Sequence, residues 1–311
     1  MNKTDRIFVA GHRGLVGSAL LRMLKSRGFD NVILRDRKDL DLTRQDQVAA
    51  FFAATRPQYV FLAAARVGGI AANDSRPAEF IFENLAIQTN VIDSAYRNGV
   101  ERLLFLGSSC VYPRECPQPM REEYLLTGPL ETTNEAYAIA KIAGIEMCAA
   151  YNDQYETDFI AVMPTNLYGI NDNFDLNDSH VLPALIRKVH EAKIANSPHV
   201  EIWGSGSPRR EFLHVDDLAD ACLFLMGCGD AARLTNIGSG EEVSIRELAE
   251  LVCAVVGYDG ELVFDTSKPD GTPRKLLDSS RLRALGWRHS IDLRSGIEAT
   301  YEWYCGRLDA A

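Results

Sequence analysis

Tyr137 and Lys141, in Tyr137-Ala-Ile-Ala-Lys141, are four residues apart and would share one face of a helix. A phenol near an ammonium has its phenolate stabilised and can pass a proton to or from a carbinol oxygen. YxxxK arises by chance in many helices, so its setting matters. Upstream, Leu106-Gly107-Ser108-Ser109-Cys110 closes a buried apolar run, where α/β proteins place ligand-contacting groups. A serine there can share a substrate oxygen with Tyr137. At the N-terminus, Gly11-His12-Arg13-Gly14-Leu15-Val16-Gly17 joins a strand-like run to a helical one. Its glycines let the backbone turn tightly and approach a pyrophosphate, which the helix N-terminus stabilises. The compound pattern predicts a bound nicotinamide dinucleotide and proton transfer at a carbon–oxygen bond.

An NAD site wants an acid at the end of its second strand, whereas NADP replaces it with arginine. Here that strand ends Leu34-Arg35-Asp36-Arg37, with Arg13 inside the glycine turn. Three guanidiniums converging on one 2′-phosphate favour NADP, because Arg forks suit phosphate. Asp36 keeps NAD open.

Short apolar runs alternate with helical patterns over the first 110 residues, the signature of βαβ units. Strands are expected at 6–10, 31–35, 59–65, 102–107 and 159–163. Helices are expected from Leu15 to a stop at Gly28, over 84–97 and over 133–155. Continuous apolar runs such as 59–65 suit strands covered on both faces. The texture changes after Pro164, and 169–179 is a loop dense in Asn and Asp. Ser244-Ile-Arg-Glu247 reads as a capping box, with Gly257 ending that helix. The boundary is expected near residue 168, giving lobes of 1–168 and 169–311, with 215–236 free to return to the first.

Composition narrows the partners. Of 311 residues 46% are hydrophobic and 24% charged, ordinary values for a soluble globular chain. Lys and Arg number 33 against 43 acids, a net charge of −10 without a basic stripe, which argues against nucleic acid. No apolar run is long enough for a bilayer, no signal-peptide pattern opens the chain, and no His/Cys spacing suggests a metal. Seven cysteines without a CxxC pair suit reduced thiols in the cytoplasm. An acidic chain that handles an anion must concentrate its cations, and Arg209-Arg210 and Arg274-Lys275 do so beside Gly/Pro turns.

These features resemble the extended short-chain dehydrogenase/reductase family over essentially the whole chain. Gly11, Gly14 and Gly17 fit its glycine turn, and Ser108, Tyr137 and Lys141 its catalytic set. Arg210-Glu-Phe-Leu-His-Val-Asp-Asp217 and Asn166-Leu-Tyr-Gly169 are similar to its nucleotide-sugar members. Gly107-Ser-Ser-Cys-Val-Tyr112, Met163-Pro-Thr-Asn-Leu-Tyr-Gly169, Ser179-His180-Val181 and Lys268-Pro-Asp-Gly-Thr-Pro-Arg-Lys-Leu-Leu277 narrow the resemblance. They resemble the branch that inverts C3 and C5, then reduces C4, of GDP-4-keto-6-deoxy-D-mannose with NADPH.

The resemblance implies a Rossmann-type doubly wound parallel sheet with a smaller C-terminal α/β substrate lobe, in a cytoplasmic homodimer. It implies cofactor contacts from Gly11, Arg13, Gly14, Leu15, Val16, Gly17, Arg35, Arg37, Asp41, Leu42, Ala63 and Ala65. Tyr137, Lys141, Pro164, Asn166, Leu167 and His180 complete that set. It implies substrate contacts from Ser108, Ser109, Cys110, Asn166, Arg187, Lys188, Trp203, Arg210 and Lys275. Cys110 becomes the base and His180 the acid for inversion. A thiol's reference pKa of about 8.5 suits a base in a positive neighbourhood.

On residue type alone, Cys110 equally suits a small buried apolar position and Trp203 a core one. If the chain is extended at Ser108–Cys110, both side chains leave the same face. Arg209 and Arg274 read equally as solvated charges, and His12, His190, His199, His214 and His289 as structural. A 4,6-dehydratase would want a carboxylic acid where Ser109 and Cys110 stand. A 4-epimerase would keep NAD and need no Cys–His pair. A non-catalytic NADP or nucleotide-sugar sensor would not need Tyr137 and Lys141.

Overall fold

Residues 1–176, 178–268 and 270–309 are described by the computed structural model, so Pro269 of the quoted Lys268–Leu277 motif lies outside the described residues. The chain opens with β1 (Ile7–Ala10), α1 (Leu15–Ser26), β2 (Val32–Ile33), α2 (Gln45–Thr55) and β3 (Tyr59–Leu62). Next come α3 (Ile70–Ser75), α4 (Pro77–Arg97), β4 (Arg102–Leu106), α5 (Glu135–Tyr155) and β5 (Phe159–Pro164). After β6 (Asn166–Tyr168) follow α6 (Val181–Ile194), β7 (His199–Trp203), β8 (Arg209–His214), α7 (Val215–Gly227) and β9 (Leu234–Ile237). The chain closes with β10 (Glu242–Ser244), α8 (Ile245–Val256), β11 (Glu261–Asp265), β12 (Arg274–Lys275), α9 (Ser280–Ala284) and α10 (Leu293–Asp309).

Six parallel strands form the main sheet in the order β2-β1-β3-β4-β5-β9. Strand parity explains why the apolar runs show no alternation. Phe8, Val60, Leu103, Phe105 and Phe159 face one core, against α2, α4 and α5. Ile7, Val9, Phe61, Leu104, Ile160 and Val162 face the other, against α1 and α7. With helices on both faces every position is buried, and each large side chain contributes about 1.5–3 kcal/mol. Strands are added to opposite sides of β1, β2 on one and β3 on the other, and such a switch point opens a crevice beyond the strands' carboxyl ends.

Helices α6, α8 and α10 pack with β6, β7 and β8 around a third core that includes Tyr168, Leu185, Ile186, Leu248, Val252 and Ile297, while Leu282 of α9 joins the second core. There β8 carries β10 and β12 as neighbours and β6 as a parallel partner. The box at Ser244 forms: Glu247 N donates to Ser244 Oγ at 3.1 Å, and Ser244 N donates to Glu247 Oε2 at 2.7 Å. Gly257 ends α8 with φ 71°.

Three local expectations change. Strand β2 is two residues, not five, because an edge strand pairs on one side only. Helix α4 starts seven residues early, at Pro77, whose fixed φ and missing N–H suit a first helical position. The segment after β4 is not extended: Ser109–Val111 forms a 3-10 turn capped by the Ser108 hydroxyl, which accepts from Cys110 N at 3.3 Å.

Candidate active site

The glycine turn sits at the switch point. Gly11 has φ +83°, and a Cβ there would lie 2.8 Å from the Ala64 backbone just past β3. A Cβ on Gly17 would lie 2.1 Å from Gly11 O, so only glycine lets α1 start this close to the turn. Gly14 caps α1 without a side-chain bond, leaving the first-turn amides around Leu15 and Val16 as donors for an anion. Ala63, whose amide donates to Ala10 O at 3.1 Å, and Ala65 form the opposite wall. This small-residue cradle fits a dinucleotide pyrophosphate.

At the adenosine end the three arginines do not converge. Arg13 pairs with Asp36. Arg35 lies 5.5 Å from the Phe51 ring centroid, and Arg37 reaches toward Glu83 at 3.6 Å. Each has found a local partner for its charge or its plane. His12, expected to be structural, lies with its Nε2 3.3 Å from Asp36 Oδ1. Asp41 accepts from the amide and hydroxyl of Thr43, which hold its pKa below the usual carboxylate value, and Leu42 O accepts from Asn90. Both shape the loop beside this end.

The proton-transfer groups meet where β4 and α5 end and begin. Lys141 is buried on α5, and its Nζ donates to Leu106 O at 2.7 Å, the last carbonyl of β4. Its Nζ is 5.9 Å from the Tyr137 ring centroid. Burial pushes the Lys141 pKa down to about 7. Burial also raises the Tyr137 phenol, the neighbouring Cys110 adds to that rise, and the Ser108 hydrogen bond opposes it. Ser108, Cys110 and Tyr137 thus share one electrostatic neighbourhood. The 3-10 turn, rather than an extended strand, brings Cys110 there.

Asn134, which residue types did not single out, donates from its Nδ2 to Cys110 Sγ at 3.3 Å. That bond fixes where the sulfur sits. Its only sequence signal is its place one turn before Tyr137. His180 caps α6 and is solvent-accessible, though surrounding protein disfavours its charged form and lowers its pKa. The preceding loop docks on the crevice wall, with Gly69 N donating to Asp178 O at 3.1 Å. Pro164 closes β5, Asn166 anchors β6 through its Nδ2 to Glu211 O at 2.8 Å, and Leu167 packs into the second core.

Strand parity sorts the cation clusters on the smaller lobe. Arg209 and Arg274 are register partners, and both bond Glu242, at 3.0 and 2.8 Å, so they are paired rather than solvated. Their neighbours Arg210 and Lys275 are also register partners, on the opposite face, and neither has an ion pair among the described residues. Burial lowers the Arg210 pKa, although Asp270 partly offsets it. Lys275 lines a small pocket with Ser109, Cys110 and Thr272, which brings β12 to the thiol. A buried knot holds that approach: Asn236 Oδ1 accepts from Tyr112 OH at 2.6 Å while its Nδ2 donates to Met120 O and Asp278 O.

Trp203 is 61% exposed, not core. Its ring centroid lies 5.4 Å from Lys188 Nζ and 5.6 Å from Lys268 Nζ, a flat platform edged with positive charge. Arg187 is held on α6 by Glu191 at 2.7 Å and Phe174 O at 3.1 Å. His214 caps α7 by accepting from Asp216 N at 3.2 Å.

The buried Lys141 predicts a pH signature. Its folded pKa lies below the value of 10.5 for the unfolded chain, so between about 7 and 10.5 the unfolded chain holds the extra proton. Stability from this group therefore grows as pH rises through that window. Without bound nucleotide, wild type should gain about 2 kcal/mol over Lys141→Met between roughly pH 7.5 and 9. Parallel denaturation curves for the two proteins across that range would contradict it.

The sequence model of the NAD dependent epimerase/dehydratase family matches residues 7–238. The chain is 63% identical over 304 residues to "Putative GDP-L-fucose synthase 2" of Arabidopsis thaliana, covering 98% of this chain and 93% of the relative. It is 53% identical over 314 residues to the GDP-L-fucose synthase of Escherichia coli K12, covering 98% of each. Among solved structures, a GDP-L-fucose synthetase from Naegleria fowleri bound to NADP superposes with a TM-score of 0.92 at 29% identity, covering 100% of this chain and 97% of that one.

Proposed function

The chain belongs to the NAD dependent epimerase/dehydratase family, and on that premise we propose that it converts GDP-4-keto-6-deoxy-D-mannose to GDP-L-fucose, as a 3,5-epimerase and NADPH-dependent 4-reductase. The observation that carries this reading is Cys110, held by Asn134 beside Ser108 and Tyr137. Inversion at C3 and C5 needs a base beside the ketone, and the thiol stands where such a base would act.

The C4 ketone acidifies the hydrogens on C3 and C5. Cys110 Sγ takes one, the electron pair moves onto the C4 oxygen, and His180 returns a proton to the opposite face of that carbon. Repeating the exchange at the other carbon inverts both centres. NADPH, when bound, supplies the hydride that makes C4 an alcohol. Tyr137 gives its phenolic proton to the C4 oxygen, Lys141 stabilises the phenolate left behind, and Ser108 holds the same oxygen. Arg210 and Lys275 fit the diphosphate, and Trp203 offers its face to the guanine.

With GDP-4-keto-6-deoxy-D-mannose the purified protein should oxidise one NADPH per sugar and yield GDP-L-fucose by NMR. A product reduced at C4 but not inverted would restrict it to reduction. We propose a homodimer, supported by Phe82, 68% exposed on α4, and Ile139, 42% exposed on the adjoining α5. Light scattering should then show twice the 34.5 kDa chain mass. Seven free cysteines and the use of NADPH suit a reducing cytoplasm. Among the described residues no helix is long and apolar enough to cross a membrane.

A further inference from the structure

We infer that Asp36 is a cofactor-specificity residue: it weakens the hold on a 2′-phosphate and lets the adenosine end accept NADH as well as NADPH. The inference rests on the proposed reaction only for the presence of a nicotinamide dinucleotide.

The three arginines at this end suggest a strong phosphate clamp, but Asp36 has already engaged the one nearest the turn. Arg13, 75% exposed at its side chain, is paired with the Asp36 carboxylate, while Arg35 and Arg37 lean toward Phe51 and Glu83. A 2′-phosphate must therefore draw Arg13 away from a carboxylate and then sit beside that like charge. A ribose hydroxyl faces neither cost. Asp36 Oδ1 is buried and receives no hydrogen bond among the described residues, although His12 Nε2 lies 3.3 Å away. His12 Nδ1 is also buried without a partner. The Asp36 side chain, 19% exposed, stands just past the second strand and beside the glycine turn, where a dinucleotide fold receives the 2′-hydroxyl. A 2′-hydroxyl can approach this carboxylate without drawing Arg13 from it. Arginine and aspartate thus pull the preference in opposite directions, and the balance belongs to this pair.

The test titrates the full chain by calorimetry with two fragments, 2′,5′-ADP and 5′-AMP, that carry only the adenosine end. Wild type should bind both. Asp36→Asn keeps the size and removes the charge, and should raise the affinity ratio of 2′,5′-ADP to 5′-AMP about tenfold, mainly by tightening the former. Arg13→Ala should lower that ratio. The same shifts should appear in kcat/KM for NADPH against NADH. An unchanged ratio in Asp36→Asn, or equal weakening of both fragments, overturns the proposal, as does a wild type that binds neither. Fragment binding is independent of which sugar is turned over, so failure of the sugar assignment would leave these ratios as they are.

Discussion

Cys110→Ser should separate the two halves of the reaction. Serine keeps the shape and the hydrogen bond from Asn134, but a hydroxyl is a far weaker acid than a thiol and rarely supplies an anion near neutrality. Proton abstraction at C3 and C5 should fall by about 10²–10⁴-fold, the usual worth of a positioned general base. Ser108, Tyr137 and Lys141 are untouched by the change, so slow reduction of the un-inverted ketone should remain, giving a GDP-6-deoxyhexose other than fucose. In heavy water, wild type should place deuterium at C3 and C5 of the product. Full exchange at both carbons in Cys110→Ser would assign the base to another residue and return the cysteine to a packing role.

The second large effect is the converse. Tyr137→Phe should reduce NADPH oxidation by about 10²–10⁴-fold, because the C4 oxygen loses its proton donor as the hydride arrives. Ser108 hydrogen-bonds the tyrosine and so acts with it rather than in its place. NADPH affinity, read by fluorescence titration, should change little, since the glycine turn and Lys141 remain. Inversion should continue: exchange at C3 and C5 builds up in a substrate that is never trapped. Near-normal NADPH oxidation in Tyr137→Phe would remove it from the mechanism. Loss of exchange together with reduction would mean that the two sets of groups do not act separately.

Much of the scaffold is written in local pattern. Runs such as residues 103–106 are apolar at every position because helices cover both sheet faces, and that leaves a continuous signal in sequence. The glycine turn is partly legible for a similar reason: a Cβ on Gly17 would meet the backbone of Gly11 and His12, so that need for glycine is encoded in place, whereas Gly11 is pressed by Ala64 from beyond β3. The capping box at Ser244 and the stop at Gly257 are equally short in range.

What tertiary structure decided is how side chains of known type are partnered. Three arginines near one strand end predict convergence, yet Asp36, Phe51 and Glu83 hold them apart, and a charge settles on whichever partner the fold brings near. Arg209-Arg210 and Arg274-Lys275 look alike in sequence. Parallel pairing of β8 with β12 puts one pair on Glu242 and leaves the other facing away. The 3-10 turn at Ser109–Val111 and the amide of Asn134 bring Cys110 to Tyr137, although Cys110 and Asn134 are 24 residues apart. Residue types and short spacings were set by the chain itself, because those interactions span a few residues. Contacts such as these depend on the packing of distant elements, which no local pattern records.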